Sequence, residues 1–218
     1  MTELRILIET GSKKTFASAR DWPGWSRSGR DEGDAIMTLI AYADRYRVVT
    51  DLAGITDPLP DESVVIDRRA GDVTTDFGAP GQIHDLERTP IADDELDRYT
   101  ALLNAAWDVF FAVAARVTPE LQKGPRGGGR DRDEIIAHVV EVDRSYARQI
   151  GVRTSPFAVD PLDRAALDVH REAVLAAIPA FTNGAPRTEK GWPLRYLLRR
   201  MTWHILDHAW EMEDKTLA

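Results

Sequence analysis

The sequence contains no cysteine. That removes disulfide scaffolds, thiolate zinc sites, iron–sulfur clusters and cysteine nucleophiles together. Any metal must then be held by His, Asp or Glu, and only five histidines are available. Long apolar runs are missing as well; none approaches the roughly 20 residues that a membrane helix needs. The first residues, Met1-Thr2-Glu3-Leu4-Arg5, lack the basic-then-apolar build of a signal peptide. The expectation is a cytoplasmic protein with no membrane partner. Basic side chains are the minority, 28 against 36 acidic for a formal charge of −8 over 218 residues. That balance argues against general affinity for polyanions, so no nucleic-acid partner is expected. What is present is a 43% apolar content, enough for a real core in one or two domains.

The chain divides into two unlike parts. Up to about residue 85 the apolar residues come in short bursts between Gly, Pro and Asp, whereas beyond Asp93 they recur at helical spacing. The expectation is an α+β chain: a small module over residues 1–85, then a helical domain over 86–218. Residues 4–9 and 15–20 read as strands joined by a turn at Gly11-Ser12-Lys13-Lys14, which makes a hairpin. Asp31 opens a helix whose apolar face runs from Ala35 through Tyr46. Further strands are expected at Ser63–Asp67 and Val73–Phe77, with the segment from Pro80 through Pro90 as linker. Four long helices follow. They run from Asp93 to Val117, from Asp131 to the Gly151 stop, from Asp160-Pro161 to just before Pro179, and from Trp192 to Asp214. Four helices in one domain suggest a bundle.

The most informative segment is Met201-Thr202-Trp203-His204-Ile205-Leu206-Asp207-His208-Ala209-Trp210-Glu211. At about 100° per residue, His204, His208 and Glu211 share a stripe with Leu197 and Met201, so both imidazoles face the core. Burying two imidazoles is costly without partners, and the i, i+4 spacing lets two ring nitrogens share one metal ion. A third ligand should come from a facing helix. His138 flanks the apolar stripe of Ile135, Val139, Val142 and Tyr146 and is the candidate. The competing reading is of core histidines bonded to Glu141, Asp207 or Glu211. A zincin protease is a poor fit, because Ile205 stands where HExxH places its general base.

A helical domain with one histidine on its second helix (Ala137-His138-Val139-Val140-Glu141-Val142-Asp143) and an HxxxH on its fourth (His204-Ile205-Leu206-Asp207-His208) resembles the DinB superfamily, also called DinB/YfiT-like, over roughly residues 93–214. The resemblance implies a four-helix bundle of up-down-down-up topology that binds a divalent metal through His138, His204 and His208, with open coordination positions. Zinc or nickel is expected first, with manganese or iron also suited to three imidazoles. Relatives include S-transferases and isomerases that use a low-molecular-weight thiol such as bacillithiol or mycothiol. The implied function is a metal-dependent hydrolase or thiol S-transferase acting on a small-molecule substrate. Glu211 and Asp207 are the nearest carboxylates in sequence. Each can accept a hydrogen bond from a ligating imidazole, and Glu211 can instead be a fourth ligand or general base.

The first module has a resemblance of its own. Phe16 to Gly29, with the Asp21-Trp22-Pro23-Gly24-Trp25 turn, then Asp31-Glu32-Gly33-Asp34-Ala35, is similar to the HicB-like pattern over roughly residues 3–50, and to 80 if later strands pair. It implies a ββαβ(β) module. Neither a helix-turn-helix pattern nor a strongly basic face accompanies it, so an operator-binding role does not carry over. Dimerisation, giving a homodimer, or closure of one side of the metal pocket is expected, with Trp22 and Trp25 as exposed anchors. The competing function is a non-enzymatic binding or regulatory protein that uses this module and keeps its histidines for structure. The Gly127-Gly128-Gly129-Arg130 loop before the second long helix is read as a surface loop. Arg195, Arg199 and Arg200 are read as packing and solvated ion pairs, and His84 and His170 are left outside the site.

Overall fold

The computed structural model describes residues 3–125, 127–154 and 164–217. The fold is α+β, a four-stranded sheet in the N-terminal part followed by a helical part. Strand β1 (Glu3–Thr10) buries Leu4, Ile6, Leu7 and Ile8, residues on both of its faces, because it lies inside the sheet. It pairs antiparallel with β2 (Thr15–Ala19), in register from Ile6 opposite Ala19 to Thr10 opposite Thr15. The hairpin closes through the Gly11 N–H bonded to the Lys14 carbonyl at 2.9 Å. β3 (Ser26–Gly29) extends the sheet beyond β2, and β4 (Glu62–Ala70) adds parallel to β1 on the other side. A parallel pair requires a crossover. Helices α1 (Glu32–Ala41) and α2 (Ala43–Leu52) supply it.

Asp31 caps α1 by accepting the Asp34 N–H at 2.9 Å. The expected single helix from Asp31 through Tyr46 is in fact two. At Tyr42 the N–H goes to the Leu39 carbonyl at 3.1 Å, tightening the last turn, and the chain restarts as α2. Tyr46 then drops into the core, stacked on Trp25 at 5.1 Å with its hydroxyl donating to the Pro23 carbonyl at 2.8 Å. Trp22 and Trp25 are therefore not exposed anchors. They are 2% and 1% exposed, held by this aromatic cluster and by the Trp25 Nε1–H on the Leu39 carbonyl.

The strand expected at Val73–Phe77 is a short helix, α3. The Val73/Thr75/Phe77 alternation suggested a strand, but local capping overrides it: Asp72 accepts the Thr74 N–H at 2.7 Å and Gly78 ends the turn at φ 118°. Val73 and Phe77 point to solvent, while Thr75 is buried against the Glu9 carboxylate. The last optional strand of the ββαβ(β) expectation is thus absent among the described residues. The segment after it is held at both ends. Gly81 and Gln82 N–H groups bond Glu9 at 2.9 Å each, and His84 is 1% exposed with Nδ1 2.7 Å from Asp67.

Helices α4 (Asp93–Arg116), α5 (Arg132–Ala147), α6 (Arg164–Ala177) and α7 (Leu194–Lys215) form the second part. The start expected for α6 at Asp160-Pro161 lies outside the described residues. Glu134 reaches back to the Asp131 N–H at 2.9 Å to start α5. α7 is the hub. It packs on α4 and α5, sixteen of its residues are buried, and one contiguous apolar core runs from Leu4 and Trp22 through α4 to Trp210 and Met212. Among the described residues no helix is long and apolar enough to cross a membrane.

Candidate metal centre

α7 carries His204 and His208 one turn apart, and α5 presents His138 to them from across the helix pair. His138 Nε2 and His204 Nε2 are 3.2 Å apart. One nitrogen from each of the three rings falls within 4.8 Å of the others. Two nitrogens on one tetrahedral ion, each at ~2.0–2.1 Å, lie roughly 3.3 Å apart, so the donor set and its spacing fit a divalent cation. His204 is buried at 8% exposure, whereas His138 and His208 are only partly buried.

Electrostatics keep two of the rings in the ligating form. Burial pushes the His204 imidazole well below its ordinary value, with the neighbouring His208, His138, Arg200 and Arg130 adding to the effect. Burial likewise lowers His138, assisted by His208 and Arg130. His208 Nδ1 is 2.7 Å from Glu211 Oε2, which leaves Nε2 as its remaining donor nitrogen. The hydrogen bond from His208 holds the Glu211 carboxyl down at about 2 against the opposing effect of burial, with Lys215 at 2.5 Å from the other oxygen. Glu211 is thus a fully ionised, weakly basic acceptor that orients His208.

Asp207 is not brought to the imidazoles. Its carboxylate accepts from Arg27 of β3 at 2.8 Å, and that guanidinium also lies 4.2 Å over the Tyr42 ring. His170 stands apart, with Nδ1 3.0 Å from Thr154 Oγ1. The Gly-rich loop folds on itself through Gly124 N–H on the Gly128 carbonyl at 2.8 Å, with Arg126 outside the described residues.

Two neighbours of the cluster, Tyr146 and Arg200, are not among the expected site residues. The Tyr146 ring on α5 is 5.9 Å from the His204 ring, and the Arg200 guanidinium, one turn before His204, donates to the Tyr146 hydroxyl at 3.3 Å. The i, i+4 spacing of Arg200 and His204 was the available signal. Arg195 and Arg199 are not solvated: they are buried against Glu95 and Glu87 respectively. No protein-family model matches the chain, and no curated protein or solved structure is significantly similar to it.

Proposed function

We propose that the protein is a metal-dependent enzyme of the DinB-like class, acting on a small molecule by hydrolysis or by transfer of a low-molecular-weight thiol. The observation that carries this is the 3.2 Å approach of His138 and His204 Nε2 from two helices, with His208 within reach of both. Helices α4 to α7 would be the bundle of that class, and the sheet with α1 and α2 its HicB-like companion.

His138, His204 and His208 would hold a divalent ion, zinc or nickel first. When bound, the ion supplies Lewis acidity toward a thiol or carbonyl group. The chain does the rest. Burial keeps His204 neutral and ready to ligate, and Glu211 fixes the orientation of His208 through Nδ1. His138 and His208 stay partly exposed, and a substrate would approach from that side.

The second reading, a binding or regulatory protein with structural histidines, takes the same 3.2 Å contact as a hydrogen bond between two imidazoles. Elemental analysis of untagged protein, purified without a nickel column or chelator, separates the two. About one metal ion per chain, lost in His208→Ala with helix content retained, is the expected result. No metal after dialysis against zinc overturns the enzyme reading.

A further inference from the structure

Five arginines among the described residues are buried, and four of them face a carboxylate. Arg144 meets Glu141, Arg171 faces Asp108, Arg195 meets Glu95 and Arg199 meets Glu87. Arg200, only 9% exposed, meets none, and its Nη1 is buried without a hydrogen-bond partner. Its Nε bond to the Tyr146 hydroxyl and its 4.8 Å approach to the Trp203 ring place the guanidinium without neutralising it. A buried cation with no counter-charge among the described residues carries a desolvation cost that these residues leave uncompensated.

The location gives that cost a use. Arg200 lies one turn before His204 on α7. The two rings that it touches, Tyr146 and Trp203, also flank His204, with centroids 5.9 Å and 6.2 Å from that imidazole. A planar fork of N–H donors suits a carboxylate, which can accept two parallel hydrogen bonds.

We propose that Arg200 is the anion subsite of the histidine centre and receives a carboxylate of the substrate, so that the substrate is a small carboxylic acid. The word substrate rests on the enzyme reading above; the anion site does not. Tyr146 and Trp203 position the guanidinium, and the bound carboxylate supplies the counter-charge that no described residue provides.

The test is the melting temperature of wild type, Arg200→Met and His208→Ala as acetate is titrated, with acetamide and sodium chloride as controls and inorganic phosphate as a second anion. Zinc stoichiometry is measured on the same preparations. Acetate should stabilise wild type and His208→Ala in a saturable way and bind Arg200→Met about tenfold more weakly or worse. Arg200→Met should fold, because a long apolar side chain replaces an unpaired charge. If it does not, Arg200→Lys, which keeps the charge without the fork, takes its place with the same expected loss. An equal acetate response in the folded variant, no response in wild type, or a response matched by chloride overturns the proposal. A response to phosphate alone overturns the carboxylate assignment. Acetate binding without zinc binding would overturn the enzyme reading and leave the anion site standing; zinc binding without acetate binding would do the reverse.

Discussion

Glu211 and Asp207 differ by one turn of helix and have opposite fates. The i, i+3 step from His208 brings the Glu211 carboxylate to its Nδ1 at 2.7 Å, while Asp207 is drawn 180 residues away in sequence to Arg27. The short-range partner could be read from spacing; the long-range one could not. Held at about 2 by the His208 hydrogen bond and Lys215, Glu211 is a poor proton acceptor but a good fixed negative charge. Glu211→Gln should therefore weaken zinc binding about tenfold or more, measured by competition with a chromophoric chelator, with little loss of melting temperature. Unchanged affinity would remove the orienting role. At buried Asp143 the balance between burial and hydrogen bonding is reversed. Its burial pushes the carboxyl up to about 7, opposed by the Trp107 Nε1–H donating at 2.7 Å.

Among the elements, those with strong local periodicity or caps were readable and those governed by packing were not. α4, α5 and α7 lie where the apolar repeat and the Glu134 box put them. α3 is the exception: the local Asp72 and Gly78 caps decide its conformation, although Val73 and Phe77, both exposed, are residues typical of strands. The Pro23-Gly24 turn shows how an element constrains a distant helix. Gly24 has φ +95°, and a Cβ there would meet Thr202 Cγ2 at 2.7 Å and Leu206 Cδ1 at 2.8 Å on α7. Gly24→Ala therefore combines a disfavoured backbone with a clash and should destabilise the protein by about 2–3 kcal/mol. Urea denaturation measures this directly, and a loss under about 0.5 kcal/mol would mean that α7 gives way easily.

At the scale of the whole molecule, the sheet and the helices are joined by polar clasps as well as by the shared core. Glu95 at the start of α4 accepts from Arg195 of α7 at 2.6 Å and from Arg20, after β2, at 2.9 Å. Arg199 clasps Glu87 in the same way at 2.6 Å. Burial pushes the Glu95 carboxyl up, but the hydrogen bonds and charge of Arg195, with the charge of Arg20, outweigh it and hold the group at about 2. A carboxyl lowered from its ordinary value near 4.5 stabilises the fold fully above that pH, and the contribution disappears as the pH falls through about 2. Glu95→Gln should cost on the order of 3 kcal/mol at pH 7, with the gap to wild type closing between pH 4.5 and 2. Urea titrations across that range check it, and a gap independent of pH would assign the loss to packing.

The sequence by itself determined the i, i+4 pairing of His204 and His208, the core-facing stripe that carries them, the hairpin and most helix boundaries, because helix geometry, turns and caps are set by bonds within a few residues. Only the tertiary structure decided that His138 Nε2, 66 residues from His204, lies 3.2 Å from it. The same holds for the burial of Trp22 and Trp25, the diversion of Asp207 to Arg27, and the lack, among the described residues, of a carboxylate at Arg200. Those outcomes depend on how α5, α7 and the sheet pack, and on which charges that packing brings together.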